Sequence, residues 1–281
     1  MTDQAESCIL QEKKRIRKEG LAIKRRIGAR IAACLLIIAL FSSAVAEAPD
    51  DIYEEFTYGY SQSSRPLICY RIGEKDAAQS LLMIFGVHGF EDSFDHDGEI
   101  LRQIAGKIIQ HYAENAGALK DFRLYIVPSA NPDGLIDGNT KDGFGRCNAM
   151  GLDINRDFPI GWKKRTEKRN KTGGQPFSTA EARAIRDLVE GIRPDYAMDI
   201  HGWISASYGD GEMAKVFAKP FGFSVKIPRS GGMLCSWLDT VTKEAIMLEL
   251  PGKPRQDGYV DQNSKRLIEG IDQWIAQCTP E

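Results

Sequence analysis

Four side chains in this sequence have the chemistry to hold and use a metal ion: His88, Glu91, His201 and Glu249. Two histidines and one glutamate can fill three positions of a tetrahedral zinc ion and leave the fourth open for water, which is the arrangement of a catalytic zinc. Zinc lowers the pKa of such a water toward neutrality, and a nearby carboxylate can take its proton. These residue types therefore predict metal-assisted hydrolysis.

The spacing of these residues is weak evidence by itself, because a histidine and a glutamate three positions apart occur often by chance. Their positions relative to predicted strands are stronger evidence. Four short apolar runs, each followed by glycine or proline, predict buried strands at 81–87, 124–127, 196–200 and 245–250. His88 and Glu91 follow the first run, His201 follows the third, and Glu249 lies in the fourth. Ligands of open α/β sheets bind beyond the carboxyl ends of strands, so we expect these residues to converge.

Helical patterns lie between the predicted strands. Apolar residues recur at helical spacing over 100–112 and over 267–275, and the run 178–181 has the pattern of a capping box that opens a third helix. Strands that alternate with helices predict an α/β fold whose sheet is covered on both faces. The polar and charged segment 162–174 is expected to be a solvated loop.

A second group of candidate residues lies in the loop 145–159, which contains Arg146, Asn155 and Arg156. An isolated arginine is usually a solvated surface charge. Two arginines and an asparagine in a glycine-containing loop instead favour a carboxylate clamp, because guanidinium presents a planar fork of donors. Glu249 is flanked by apolar residues, and burial of its charge without a partner would cost a large free energy. It is either a proton acceptor in catalysis or half of a buried structural salt bridge.

The first 46 residues have the layout of a secretory signal. A basic segment ends at Arg30, an apolar run occupies 31–41, and small residues at 44–46 form a cleavage site. The apolar run is shorter than the roughly 20 residues that span a bilayer. Cleavage after Ala46 and a periplasmic or secreted location are therefore expected. An uncleaved leader that anchors the protein in the membrane is the alternative.

Removal of that leader leaves residues 47–281, which are 235 residues with a net charge of −7. This length is enough for one domain with a full hydrophobic core. The acidic balance argues against a nucleic-acid partner. The four cysteines of this part, at 69, 147, 235 and 278, show no Cys-x-x-Cys spacing, which argues against a zinc–thiolate site. The sequence leaves undecided whether these cysteines form one or two disulfides in an oxidising compartment.

The motifs, taken in order, resemble those of the carboxypeptidase A-type family of zinc metallopeptidases. They are His88-x-x-Glu91, Asn131-Pro-Asp-Gly134, Arg146 leading to Gly151-Leu-Asp-Ile-Asn-Arg156, His201, and Glu249 between two leucines. Each motif is weak alone, but their order and spacing over residues 56–252 are specific. The resemblance implies that 47–281 is a zinc carboxypeptidase-like catalytic domain. It also implies a three-layer α/β/α fold with a mixed, twisted sheet of roughly eight strands.

The resemblance implies a metal-centred mechanism. One zinc ion per chain would be held by His88, Glu91 and His201, and Glu249 would be the general base that activates the zinc-bound water. The reaction would be hydrolysis of a peptide or isopeptide bond next to a free carboxylate.

The resemblance also implies roles for four residues of the 145–159 loop. Arg146 would polarise the scissile carbonyl and stabilise the oxyanion. Asn155 and Arg156 would grip the substrate carboxylate, and Asp153 would orient a zinc-binding histidine from behind.

Two departures from the family pattern bear on the substrate. The digestive enzymes carry a substrate-capping tyrosine upstream of the catalytic glutamate, but segment 227–237 contains none, and Asp157 stands where an asparagine is usual. The compact size and the sequences Phe158-Pro159 and Glu249-Leu250-Pro251 are more similar to the bacterial branch. That branch includes peptidases of the γ-D-glutamyl–diaminopimelate bond in murein peptides, so a peptide or muropeptide is the expected substrate.

Two other functions remain open from the sequence. The first is a zinc deacylase of N-acyl amino acids, similar to aspartoacylase-like enzymes, which share His-x-x-Glu and the Asn-Arg pair. The Asn131–Gly134 motif and the leader argue against it. The second is an inactive zinc-containing envelope protein that binds peptides, which the missing tyrosine weakly favours and the intact set of ligands and Glu249 opposes. A membrane would be a partner only through an uncleaved leader.

Overall fold

Eight strands form one mixed sheet. In chain order they are β1 (Tyr53–Tyr60), β2 (Pro66–Ile72), β3 (Gln79–Phe85), β4 (Phe122–Val127), β5 (Tyr196–Gly202), β6 (Ala206–Tyr208), β7 (Ser224–Lys226) and β8 (Glu244–Leu250). Their order across the sheet is β1-β2-β4-β3-β5-β8-β6-β7. The four central strands β4, β3, β5 and β8 are parallel, whereas β1–β2, β2–β4 and β6–β8 pair antiparallel and β6–β7 pair parallel. The predicted mixed sheet is confirmed.

Helices cover both faces of this sheet. They are α1 (Gly98–Glu114), α2 (Pro132–Asp137), α3 (Ala180–Ile192), α4 (Glu212–Ala218), α5 (Leu234–Val241) and α6 (Tyr259–Cys278). Buried residues of α1, α4 and α6 pack in one hydrophobic cluster, and those of α3 and α5 pack in another. The predicted three-layer α/β/α arrangement is therefore confirmed.

The central strand β3 shows how the apolar runs form this fold. Leu81, Met83 and Phe85 belong to the first cluster, while Leu82 and Ile84 belong to the second. Successive side chains of a strand point to opposite faces, so a strand covered on both sides is mostly apolar. The same reason explains why all four predicted strands lie in the centre of the sheet.

The computed structural model describes residues 52–138, 145–227 and 231–279, and all of these belong to one compact unit. The predicted leader, 1–46, lies outside the described residues, so its cleavage and its boundary with the domain stay predictions. Within the described ranges no helix is long and apolar enough to cross a membrane. The four cysteines at 69, 147, 235 and 278 are free thiols in this structure. The one or two disulfides that the sequence allowed are therefore not formed among them.

The start of α3 differs from the predicted capping box. Thr179 is the N-cap, and its hydroxyl accepts a hydrogen bond from Ala182 N at 3.1 Å. Glu181 instead points inward, where it accepts from Asn148 Nδ2 at 2.9 Å and from Gln62 N at 2.8 Å. The predicted capping box was wrong because hydrogen bonds from Asn148 and Gln62 stabilise the buried carboxylate of Glu181 more than a bond to the helix end would.

Candidate active site

The predicted site residues meet at one edge of the sheet. His88 follows the end of β3 after a turn at Gly86, which has a positive φ of 62°, and Glu91 lies three residues further on. His201 and Glu249 lie near the carboxyl ends of β5 and β8. Because β3, β5 and β8 are parallel neighbours, their carboxyl ends lie together, and the four side chains converge as the sequence predicts.

His88, Glu91 and His201 form a compact, buried group with the geometry of a metal site. One ligand atom from each lies within 4.8 Å of the others. His88 Nδ1 is 3.2 Å from Glu91 Oε2, and His201 Nδ1 is 3.0 Å from Glu91 Oε1. The donor set of two imidazole nitrogens and one carboxylate suits zinc, and all three residues line one cavity. The predicted cofactor, one zinc ion, is consistent with this single His-Glu-His group among the described residues.

A carboxylate stands behind each histidine of this group. Asp153 Oδ1 lies 3.2 Å from His88 Nε2, and Asp199 Oδ1 lies 2.8 Å from His201 Nε2, although the latter contact has the distance of an ion pair without hydrogen-bond geometry. Both carboxylates are completely buried. They contact the ring nitrogens that face away from Glu91. The two Nδ1 atoms are therefore the ones left for a metal.

The charges of the group lower the pKa values of two carboxylates, which favours metal binding. They also raise the pKa of His201, whose burial opposes the effect of Asp199 and Glu91, so a metal must displace a proton there. Burial by itself would raise the pKa of Glu91, but the adjacent His88 and His201 outweigh it and hold the pKa at about 2. Burial likewise opposes ionisation of Asp153, yet its hydrogen bond to His88 and the charge of Arg146 keep its pKa well below the usual range. Both carboxylates are thus ionised at neutral pH, as ligands and their supports must be.

Glu249 is a buried carboxylate without a structural partner among the described residues. Its exposure is 8%, and its Oε2 atom accepts no hydrogen bond. Burial raises its pKa to about 7, an effect that His201 opposes and Glu91 reinforces. No ion pair to Glu249 occurs in the described ranges, which argues against the alternative of a structural salt bridge. A carboxylate with a pKa near neutrality can both accept and release a proton.

The loop 145–159 brings its predicted residues to the same cavity. Arg146 is nearly buried, with Nη1 3.4 Å from Asp92 Oδ2 and Nε 3.6 Å from Asp153 Oδ2. Asn155 and Arg156 lie on a short 3₁₀ turn, Ile154–Arg156, capped by the side chain of Asp153. Asn155 Oδ1 accepts from Leu234 N at 2.8 Å, and its Nδ2 is 3.2 Å from His201 Nε2.

The motif Asn131–Gly134 holds the Arg146 loop against the ligand loop. Asn131 caps α2 by accepting from Gly134 N, and it donates from Nδ2 to Cys147 O at 2.9 Å. Phe90 N donates to Gly145 O at 2.9 Å. A Cβ at Gly89 would collide with the backbone of Gly134 and Leu135, so only glycine permits this close approach.

The departure at Asp157 has a structural explanation. Its Oδ1 accepts from the Ser178 hydroxyl at 2.7 Å, and its Oδ2 accepts from Thr179 N at 2.7 Å. The carboxylate therefore fixes the entry into α3 and makes no contact with the metal group. Its change from the family pattern does not alter the site.

One supporting residue, Asp97, was missed by the sequence analysis. It is buried, and Glu91 N donates to its Oδ1 at 2.6 Å. Its Oδ2 accepts from Ser93 N at 2.7 Å and from Trp203 Nε1 at 2.9 Å. This carboxylate therefore ties the loop of Glu91 to the segment that follows His201. The sequence Asp95-His96-Asp97 gave no signal that would distinguish it from a surface cluster.

The expectation that segment 162–174 is only a solvated loop was incomplete. Arg169 from this segment forms an ion pair with Asp92 at the rim of the site, and Arg165 lines an adjacent cavity. Asp199 was also missed, although a signal existed, because it lies two residues before His201 and so shares its face of β5.

Two cavities adjoin the metal group and share one wall. The first has a volume of about 470 Å³ and the second about 970 Å³. The first contains all the predicted site residues except Asp153, which lies behind His88. The shared wall consists of Arg156, Ile204, Met233, Met247 and Glu249. A chain-like ligand can therefore run from the metal group into the second cavity past Arg156.

A buried His-Glu-His group on the parallel edge of this α/β/α sheet defines a metallohydrolase site of the carboxypeptidase type. The sequence model of the zinc carboxypeptidase family matches residues 38–215, which is more than half of the chain. The chain belongs to the zinc carboxypeptidase family. The prediction of a zinc metallocarboxypeptidase is confirmed at the level of this family.

Two relatives are similar to more than two thirds of this chain. Bacteriocin BCN5 of Clostridium perfringens is 35% identical over 218 residues, but the match covers 74% of this chain and only 24% of the bacteriocin. Murein peptide amidase A of Escherichia coli strain K12 is 27% identical over 214 residues, covering 69% of this chain and 80% of the amidase.

Two solved structures share the fold. The murein-tripeptide amidase of Escherichia coli O157 superposes with a TM-score of 0.57 at 20% identity, covering 86% of this chain and 97% of the amidase. The carboxypeptidase A of Helicoverpa armigera gives a TM-score of 0.65 at 17% identity, covering 82% of this chain and 70% of that protein. At these identities the likeness establishes the fold alone.

Proposed function

We propose that this protein is a zinc-dependent carboxypeptidase that hydrolyses a peptide or isopeptide bond next to a free carboxylate. The observation that carries the proposal is the convergence of His88, Glu91 and His201 within 4.8 Å, beside a partnerless Glu249 in the same cavity. In this proposal the Nδ1 atoms of the two histidines and the carboxylate of Glu91 hold one zinc ion. When bound, zinc supplies a Lewis acid that polarises the scissile carbonyl and acidifies water.

Glu249 is the proposed general base. Its Oε2 atom has no hydrogen-bond partner in the described structure, and Glu249 lines the same cavity as the proposed metal ligands. The carboxylate takes a proton from the attacking water and then delivers it to the departing amine. A pKa near 7 suits both steps, because the same group must be a base first and an acid afterwards.

Arg146, Asn155 and Arg156 are the proposed contacts to substrate. Arg146 stabilises the negative charge that develops on the carbonyl oxygen, and it keeps its own charge because Asp153, Glu91 and Asp92 outweigh its burial and raise its pKa. If Nδ1 of His201 held the metal, the ring proton would lie on Nε2, which is 2.8 Å from Asp199 Oδ1. Asn155 Nδ2 then has no acceptor in that ring and is free to donate to a substrate carboxylate.

We propose a murein peptide as the substrate. Two observations support it: the likeness to murein peptide amidase A, of which the match covers 80%, and the resemblance of the motifs to the bacterial branch of the family. The predicted bond is the γ-D-glutamyl–diaminopimelate bond. Its cleavage releases a residue with a free carboxylate, which Asn155 and Arg156 could hold.

The decisive experiment is mass spectrometry of a muropeptide digest made with zinc-loaded wild-type protein and with Glu249→Gln. Wild type should cut one bond and release a fragment that begins with diaminopimelate. Glu249→Gln should lose roughly 10²- to 10⁴-fold in rate while it still binds one zinc, since only the base is removed. His111→Gln is a matched control on α1, away from both cavities, and should behave as wild type.

Three results would count against this function. If zinc-loaded wild type leaves muropeptides and simple peptides uncut, the proposal fails. If it turns over N-acyl amino acids much faster than peptides, the deacylase alternative is correct. If Glu249→Gln cuts as fast as wild type, Glu249 is not the base.

We also propose that the protein is exported, on the basis of the leader pattern at 1–46 alone. Expression of the full chain in a bacterium, followed by fractionation and N-terminal sequencing, tests this. A mature protein that begins at Glu47 in the periplasm is the expected result. Retention of the leader in the membrane fraction would favour the anchor, and a full-length cytoplasmic protein would contradict export.

A further inference from the structure

The second cavity is lined by three cations, and the proposed mechanism uses only one of them, Arg156. The described lining residues of this cavity are Arg156, Arg165, Ile204, Tyr208, Lys226, Ile227, Gly231, Met233, Met247 and Glu249. Three of these are cations and only one, Glu249, is an acid. The wall between the cations is formed by the aliphatic side chains of isoleucine and methionine. Such a surface suits an anionic group carried on an apolar spacer.

Two of the cations have no anionic partner within the described ranges. Arg165 forms no ion pair there, and its Nε atom is buried without a hydrogen-bond acceptor. Lys226 contacts the face of the Tyr208 ring, with Nζ 5.5 Å from the ring centre, and pairs with no described carboxylate. A guanidinium group without an acceptor or an anionic partner is costly, and an anion in the cavity would offset the unpaired charge of Arg165.

We propose that this cavity binds the side chain of the residue released by cleavage, and that Arg165 and Lys226 select a side chain that ends in a carboxylate. The inference rests on the proposed function, because that function places the released residue here. Arg156 lies on the wall shared by the two cavities. When it holds the α-carboxylate of the substrate, the side chain of the same residue must extend into the second cavity.

The charge of the cavity disfavours cationic side chains and neutral polar ones. A lysine or arginine side chain would face two cations and would be repelled. A neutral isostere such as glutamine would leave the Arg165 donors without a full acceptor, and sites built for such a contact reject analogues that lack it. Glutamate ends in a carboxylate on an aliphatic spacer and meets the requirement. Diaminopimelate also ends in a carboxylate, with an ammonium group on the adjacent carbon, so it offers the same acceptor with less net negative charge.

Equilibrium binding tests the inference independently of catalysis. N-acyl dipeptides that end in Glu, Gln or Lys are titrated calorimetrically into chelator-treated wild-type protein, which cannot turn them over. The Glu-terminated peptide should bind about tenfold more tightly than the Gln-terminated one, the difference expected for one charge-assisted contact. The Lys-terminated peptide should bind most weakly.

Substitutions assign the preference to the two residues. Arg165→Met and Lys226→Met should each reduce the Glu-to-Gln ratio several-fold, whereas Arg165→Lys should keep most of it. Lys226→Glu should shift the preference toward the Lys-terminated peptide. Lys265→Met, an exposed lysine on α6, makes the same change in net charge away from the cavity and should leave the ratio unchanged.

The results test this inference separately from the proposed function. Equal binding of the three peptides, or a preference that survives both Arg165→Met and Lys226→Met, overturns the inference whatever the enzyme activity. A preference that these variants abolish, in a protein that cuts no peptide when zinc is added, supports the anion-selective cavity and contradicts the proposed function alone.

Discussion

His201 and Glu249 lie directly opposite each other on the parallel strands β5 and β8. The pairing runs without interruption from Tyr196 opposite Glu244 to Gly202 opposite Leu250. A proposed metal ligand and the proposed base are therefore held at one fixed separation by the backbone hydrogen bonds of the sheet. A rigid support of this kind keeps reacting groups in place without a loop having to close.

This fixed separation predicts that Glu249→Asp is severely impaired. The shorter side chain keeps the carboxylate but withdraws it by one methylene, and the paired strands cannot slide to compensate. A displacement of this size should lower kcat/KM by about 10²-fold. Steady-state kinetics on a chromogenic peptide measure the effect, with zinc stoichiometry as the control. Activity within a factor of three or so of wild type would mean that the position of this carboxylate is not critical.

The raised pKa of Glu249 predicts a cost in stability for the metal-free protein. Its pKa is about 7 in the fold, against roughly 4.3 in an unfolded chain. Between these values the folded state holds a proton that the unfolded state releases. Glu249 therefore does not lower the free energy of unfolding below about pH 4, and it lowers this free energy increasingly as the pH rises toward 7.

Glu249→Gln should remove that cost. In chelator-treated protein we expect it to be more stable than wild type by up to about 3 kcal/mol at pH 8, and nearly equal to wild type at pH 4.5. Urea unfolding at the two pH values measures the difference. A gain of the same size at both pH values would show that the cause is not the ionisation of Glu249.

The carboxylates behind the histidines should set the zinc affinity. Asp153→Asn and Asp199→Asn should each weaken zinc binding by roughly 10- to 100-fold, because neither amide can stabilise the ring proton as a carboxylate does. Competition with a chromophoric chelator measures this affinity. Asp157→Asn is the matched control: it is buried and accepts two hydrogen bonds, so it should lower stability but leave zinc affinity unchanged. Equal effects of all three variants would indicate general destabilisation instead.

Asp97 should be needed to hold the two sides of the metal site together. In Asp97→Asn the amide nitrogen would replace Oδ2 or Oδ1 and would face backbone or indole N–H donors. The conflict should cost about 1–3 kcal/mol in stability and also weaken zinc binding. Denaturation and zinc titration followed by tryptophan fluorescence measure both, since Trp203 donates to this carboxylate. Asp76→Asn, at an exposed turn, is the control. Unchanged zinc affinity in Asp97→Asn would contradict the role.

The sequence by itself determined the centre of the fold and the residues that meet there. Strands β3, β4, β5 and β8 are largely buried on both faces, so their sequences are mostly apolar and can be recognised without tertiary information. The outer strands β1, β2, β6 and β7 were not identified. They are short or partly exposed, and β7 is exposed throughout, so burial leaves little pattern in their sequences.

Tertiary structure alone decided how the remaining polar residues are used. Asp97, Arg165 and Arg169 lie in polar segments whose composition is the same whether they face solvent or a cavity. Trp203 donates to Asp97 from 106 positions away along the chain, and Asp92 pairs with Arg169 from 77 positions away. Local sequence records the preference of a residue for strand, helix or turn. Which distant donor meets which acceptor depends on the packing of the whole chain, and that contact makes a charged loop residue part of the site.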